Sequence, residues 1–370
     1  MTAAARPLRV LVNAINDNAV PRGPDRYLLE LLPHLLTADP ALQVTLCHAP
    51  WQSVLAALPE GRGFSRRCLA PPRRPAPRLI WQATQFVRFA NRQQPDVVFL
   101  PNLIWTPGLA GPAVMTVHDL LHFRAPEKFG KAKAALLRRV IRRAMARAER
   151  LVAVSDFTAR DAVALGGADP TRMVTIPEGG PPHRPRAGDP PEKFFLFVGK
   201  IERTKGVMTL ITAFESSRKL AHAGYRLIIA GPPGNAMSEV TARVARSPAR
   251  DRILLPGFIS EAELERLYLT CRGFAFPSEA EGFGLVLLEA MARGAPVIAA
   301  RATALPEVVG NAGLLVPSGD DRELRQAMER LAEDDTLFDA LQRAGYDRLD
   351  AFDWAETGRR MARILREVAA

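Results

Sequence analysis

Cysteine is scarce in this chain of 370 residues. Cys47, Cys68 and Cys271 are too few and too scattered for a disulfide framework or a zinc site, so a reducing compartment is the simplest expectation. Long apolar runs are also missing. No window of about 18 or more uninterrupted apolar residues offers a membrane-spanning helix, and the stretch Met1 to Pro7 lacks the apolar core of a secretion signal. A cytoplasmic protein is expected, with any membrane contact peripheral and on the inner face of the cytoplasmic membrane. Asp-x-Asp occurs nowhere, so no metal is suggested. The loop from Asn13 to Gly23 carries no Gly-x-Gly-x-x-Gly, which argues against a dehydrogenase using a dinucleotide cofactor.

Acidic residues are outnumbered, 39 against 50 Lys and Arg, for a formal charge of +11. That balance asks for a polyanionic partner: nucleic acid, an acidic membrane surface or a phosphorylated substrate. With no zinc pattern and no aromatic RNA-binding signature, nucleic acid is not expected. The 48% apolar content over this length exceeds one ordinary core and suggests two domains.

Residues 8–14 (LRVLVNA) read as a buried parallel strand, and 27–36 carry leucines at helical spacing. The alternation continues through apolar runs at 43–48, 96–100, 113–118 and 151–155. Residues 178–192, EGGPPHRPRAGDPPE, lose all apolar period and read as an interdomain linker. A second α/β series follows, with strands at 194–198, 227–230, 253–255, 273–276 and 296–299. The expected architecture is α/β, two Rossmann-like doubly wound domains facing across a cleft, with ligands beyond the carboxyl ends of the strands.

Three segments carry chemistry. In PSEAEGFGLVLLEAMARGAPVIA, from Pro277, Glu281 and Glu289 flank a Gly-Phe-Gly turn and an apolar helix starting near Gly284, with Leu285, Leu288 and Met291 facing inward. Gly282 and Gly284 let a ligand approach the backbone, and the helix start offers N–H groups to phosphate. Solvated glutamates on an amphipathic helix are the plain alternative. In FFLFVGKIERTKG, Lys200 and Lys205 follow a strand ending at Gly199 and are placed to clamp a diphosphate; a merely basic loop is the alternative. In VMTVHDLL, His118 ends a strand, either to face a sugar or simply to bond backbone.

Together with VAVSDFTARDA at 152–162, these segments resemble family 4 of the glycosyltransferases, with the two-lobed fold called GT-B. The resemblance implies an acceptor-side domain over residues 1–180, a nucleotide-sugar domain over 181–354, and a helix at about 355–370 packing back on the first. It implies that Lys200 and Lys205 hold the donor diphosphate, with arginine being usual at the first position. Glu281 meets sugar hydroxyls, and Gly199, Gly282, Phe283, Gly284 and Leu285 lie by sugar and phosphate. Glu289 binds the ribose, Gly257, Phe258 and Ile259 lie near the base, and His118 lies near the reacting carbon. The family's Ile-Pro-Asn-Gly appears as Ile176-Pro177-Glu178-Gly179, and the first loop has Gly23 alone.

Expected partners are a nucleotide-diphosphate sugar and a glycan or lipid-linked glycan acceptor, with no cofactor. The wording of VHDLLHF and SDFTARDA resembles bacterial polysaccharide enzymes using mannose from a guanosine diphosphate donor. The segment Lys128 to Arg150 reads either as a helix lying on anionic lipid or as a lobe helix packed by its apolar stripe. A sugar-nucleotide epimerase of the same fold, or a basic nucleic-acid-binding protein, is the rival reading.

Overall fold

The computed structural model describes residues 6–18, 23–126, 130–186 and 190–370. Residues 1–5 of the stretch read for a secretion signal, 19–22 of the first loop, Lys128 and Phe129 of the basic stretch, and 187–189 of the proline-rich segment lie outside them. The chain forms two compact units, Met1–Gly179 with Asp353–Ala370, and Gly180–Phe352.

The first unit holds strands β1 (Leu8–Asn13), β2 (Leu42–His48), β3 (Phe64–Cys68), β4 (Val97–Leu100), β5 (Ala113–Val117), β6 (Arg150–Ala153) and β7 (Met173–Thr175). They pair in parallel in the order β3-β2-β1-β4-β5-β6-β7, so the winding reverses between β1 and β4. β4 and β5 are buried at every position, which is why they read as apolar runs, interrupted only by Thr116. The helices Gly23–Ala38 and Trp354–Ala369 pack on one another. Tyr27, Leu31 and Leu35 are buried on the first, Met361 and Leu365 on the second. Asp39 and Arg366 close that contact with a paired ionic hydrogen bond, Nη2 to Oδ1 at 2.9 Å.

The second unit holds β8 (Glu192–Val198), β9 (Arg226–Ala230), β10 (Ile253–Gly257), β11 (Cys271–Phe276), β12 (Val297–Ala300) and β13 (Gly313–Val316). Their order, β10-β9-β8-β11-β12-β13, is parallel throughout and reverses between β8 and β11. Phe194, Phe195 and Phe197 are wholly buried, and Phe197 stacks on Phe276 at 5.7 Å. Each sheet is therefore doubly wound, as the β-then-α alternation predicts.

Strands β3, β7 and β13 escape the sequence pattern. All three are short edge strands, and β3 (FSRRC) is half polar because one margin faces solvent. The glycine-rich segment after β7 holds the break between the two units, but it is packed, which the reading as a linker did not foresee. Glu178 is 4% exposed, Gly180 N donates to Phe352 O at 2.8 Å, and Arg186 donates to Cys271 O at 3.0 Å. A Cβ on Gly179 would overlap Trp354, so glycine here permits close packing rather than freedom.

The helix Lys131–Arg147 buries Ile141, Ala144 and Met145 in the core of the first unit, and Ala134 is buried as well. Its apolar stripe thus packs the lobe, while Leu136, 59% exposed, stands on the outer face near Lys133, Arg139 and Arg143.

Candidate functional site

In a doubly wound sheet, adjacent loops splay apart at the carboxyl ends of the strands where the order reverses, leaving room for a ligand. In the second unit that point lies between the loop after β8 and the loop after β11, which are the two segments singled out from the sequence.

The β8 loop leaves the sheet at Gly199, whose N–H donates to Ala230 O at 3.0 Å. Gly231, at φ 142°, fits between Gly199 and Gly257; a Cβ on it would overlap the Gly199 carbonyl oxygen, and its N–H donates to Gly257 O at 2.8 Å. Three glycines thereby bring the ends of β8, β9 and β10 together. Lys200 Nζ pairs with Glu202 Oε1 at 2.6 Å. A short turn, Arg203–Lys205, runs into Gly206 at φ 66°, which caps the helix Val207–Ser216. A Cβ on Gly206 would overlap the Pro277 carbonyl oxygen, so this glycine is what lets the β8 and β11 loops touch.

The β11 loop is tied down in turn. Glu279 N donates to Thr204 O at 2.8 Å. Lys205 Nζ pairs with Glu281 Oε1, to which Ser278 Oγ also donates at 2.6 Å. Lys205 sits over the Phe276 ring, 5.5 Å from its centre. Glu281 N donates to Thr303 Oγ1 at 2.9 Å. Gly284, at φ 114°, starts the helix Leu285–Ala292 without a side-chain cap; Leu287 N donates to Gly284 O at 2.9 Å, and no side chain competes with an anion for the helix start. Phe283 is buried edge-on against Phe352. Leu288 and Met291 are buried as expected, and Leu285 is half-buried. Glu289 is 7% exposed and accepts from Tyr268 Oη at 3.3 Å. Phe258 is 74% exposed beside Gly257 at the end of β10, and Ile259 is half-buried.

The structure therefore joins Lys205 directly to Glu281 and gives Glu289 and Lys200 separate partners. This arrangement can neutralise a diphosphate with two ammonium groups and a helix start, and offer carboxylates to hydroxyl groups.

In the first unit His118 follows β5. Its Nε2 lies 3.0 Å from Pro101 O and its Nδ1 lies 3.1 Å from Glu178 Oε1. A carbonyl only accepts, so Nε2 carries the hydrogen of that bond. Tyr27 meets the ring edge-on at 4.9 Å, and its phenol is wholly buried, which pushes its pKa well above the usual range. Both ring nitrogens thus face protein groups. The winding reversal of this sheet carries a cavity of about 320 Å³ lined by Asn16, Asp17, Asn18, Arg78, Gln82 and Asn102. Asp25 builds its rim, accepting from Asn16 at 2.7 Å and Asn18 at 2.8 Å.

Sequence reasoning missed Ser278, Thr303, Tyr268 and Glu202. Glu202, two residues from Lys200, and Ser278, three residues from Glu281, lie inside the segments already singled out; Thr303 and Tyr268 come from distant segments. Among the described residues no group of three His, Cys, Asp or Glu side chains is arranged to hold a metal, and no helix is long and apolar enough to cross a membrane.

The pattern described as Glycosyltransferase Family 4 matches residues 21–184, and that of Glycosyl transferases group 1 matches residues 183–348. The chain belongs to the GT-B glycosyltransferases of the family 4 type and is an enzyme of the hexosyltransferase class. It is 28% identical over 356 residues to the O-antigen chain mannosyltransferase B of Escherichia coli, covering 90% of this chain and 92% of that protein. Its fold matches that of Anabaena HepE, solved with UDP and glucose, with a TM-score of 0.76 at 18% identity over 97% of this chain and 100% of HepE. WaaG, a glycosyltransferase of lipopolysaccharide biosynthesis, matches with a TM-score of 0.70 at 18% identity over 97% and 99%.

Proposed function

We propose that this enzyme is a retaining, metal-independent glycosyltransferase. It moves a hexose, mannose by preference, from a nucleotide-diphosphate sugar to a glycan or lipid-linked glycan during polysaccharide synthesis. The observation that carries the reading is the meeting of Lys205, Glu281 and the helix start at Gly284 beside the β8/β11 winding reversal. A site with fixed positive groups suits a leaving diphosphate, and the mannosyltransferase relative supports the sugar.

In this reading the bond from the anomeric carbon to the diphosphate oxygen breaks while the acceptor oxygen bonds to the same face of that carbon. The acceptor's proton passes to the departing phosphate oxygen. Lys200, Lys205 and the N–H groups after Gly284 stabilise the growing charge, so no separate base is required. Glu281 holds sugar hydroxyls, Glu289 the ribose, and the stretch Gly257, Phe258 and Ile259 the base. His118 is assigned to the donor sugar near its reacting carbon. Residues 1–180 serve the acceptor and 181–354 the donor; the amide-lined cavity at Asn102 is chemically suited to an acceptor sugar. The basic helix Lys131–Arg147 brings the enzyme to the inner face of the membrane.

The test is product analysis with a panel of sugar nucleotides, a polysaccharide-repeat acceptor and excess chelator. Transfer with the anomeric configuration kept and no loss under chelation supports the reading. Conversion of the sugar nucleotide to its epimer without acceptor overturns it in favour of an epimerase.

A further inference from the structure

Thr303 has an unusual backbone. It lies between β12 and the helix Leu305–Val309, at φ 50°. A β-branched residue rarely adopts the left-handed region, because its Cβ substituents crowd the backbone. The other non-glycine residue at positive φ among the described residues, Gln94, simply ends a helix, where that conformation is routine. Thr303 ends no helix, so helix termination does not account for its conformation.

Its hydroxyl supplies an explanation. Thr303 Oγ1 accepts the Glu281 N–H at 2.9 Å, while the Glu281 carboxylate is held by Lys205 and Ser278. Glu281 is thus fixed at its backbone by the loop after β12, and at its side chain by the loop after β8 and by Ser278 of its own loop. The same loop braces the other end of the turn, since a Cβ on Gly284 would approach Leu305 Cδ2 to 2.9 Å. Glycine at position 303 would relax the backbone but offer no acceptor.

We propose that Thr303 is a positioning residue: it tolerates a strained backbone in order to hold the Glu281 N–H, and so sets the direction in which the Glu281 carboxylate meets the donor sugar. This rests on the donor-site reading above. Strain of this kind persists where surrounding contacts over-determine it, and here Thr303 is held by the Glu281 N–H on its hydroxyl and by the turn bond from Leu305 N to Ala302 O at 3.1 Å that spans it. Activity then follows the hydroxyl, and stability follows the backbone.

Three variants separate those terms. Thr303→Ser keeps the acceptor with less crowding, Thr303→Val keeps shape and crowding without the acceptor, and Thr303→Gly removes both. Amide hydrogen exchange at Glu281 reads the bond directly, and kcat/KM for the donor reads its consequence. The Ser variant is expected to keep parental exchange and kcat/KM within about twofold. The Val and Gly variants are expected to exchange faster at Glu281 and lose about tenfold in kcat/KM, the size of one net hydrogen bond. The Gly variant loses this activity with a melting temperature no lower than that of the Val variant. Parental exchange in the Gly variant overturns the bond, and faster exchange with parental kcat/KM overturns its role. If the parent transfers no sugar from any donor, the functional reading fails with the positioning role, while exchange at Glu281 still decides the bond on its own.

Discussion

Replacing Lys205 with alanine separates charge stabilisation from structural support. Lys205 and Glu281 are 21% and 14% exposed, so their ion pair is neither fully solvated nor fully buried. Breaking a buried pair costs about 3–5 kcal/mol and an exposed one about 0.2–1 kcal/mol. With Ser278 still bonded to Glu281, a loss of about 1–2 kcal/mol is expected, including the contact with Phe276. For folds of this size that lowers the melting temperature by roughly 2–8 °C and leaves nearly all molecules folded at 25 °C, given a typical stability of about 5–15 kcal/mol. Any large rate loss therefore belongs to chemistry. Removing one fixed donor to a developing anion costs about 10²–10³ in kcat. Single-turnover transfer with saturating donor, beside thermal unfolding of the same sample, measures both. Transfer within about threefold of the parent, with the expected thermal shift, would refute the leaving-group role and leave Lys205 a structural partner of Glu281.

Gly231→Ala is expected to destabilise by about 2–4 kcal/mol, read by denaturant unfolding, because φ 142° is nearly closed to alanine and its Cβ overlaps the Gly199 carbonyl oxygen. Arg366, bonded to Asp39, holds that carboxyl below the usual carboxylate range. Its folded pKa is depressed, so the stability it contributes is present above the ordinary carboxylate pKa and lost as pH falls through the folded value. Asp39→Asn should therefore lower stability by about 0.5–1 kcal/mol at neutral pH after solvent screening, and by nothing at pH well below that range. Sedimentation with anionic vesicles at low salt tests the helix Lys131–Arg147: pelleting that is lost in high salt and in Leu136→Glu is expected, and failure to pellet removes the membrane reading.

Buried strands were legible because a parallel sheet covered on both faces demands continuous apolar runs such as Phe194 to Val198. Edge strand β3 was not, since one uncovered margin admits polar residues, and β7 and β13, three and four residues long, are too short to stand out. The segment from Glu178 reads as an interdomain linker, and the break between the two units falls in it, but its packing was not legible, because glycine marks close packing and loose chain alike and only Trp354, far along the chain, tells them apart. In the site, Glu281, Glu289 and Lys205 could be found from local pattern, since glycine spacing and a helix start are sequence-local. Of the partners that fix them, Ser278 shares the loop of Glu281, while Thr303 and Tyr268 come from distant segments. Nothing about threonine at 303 announces a left-handed backbone, and nothing about Tyr268 announces a bond to Glu289. His118 was visible at its strand end, but its two acceptors, Pro101 O and Glu178, were not.

Thermal unfolding of the parent and of Glu289→Ala with a panel of sugar nucleotides, with and without chelator, tests the donor site most directly. A ligand at 100 times its Kd adds about 2.7 kcal/mol to the folded state. One nucleotide should raise the melting temperature selectively, equally well in chelator, and lose that effect in Glu289→Ala. No shift with any member of the panel, or an undiminished shift in the variant, would contradict a donor site built on Glu289.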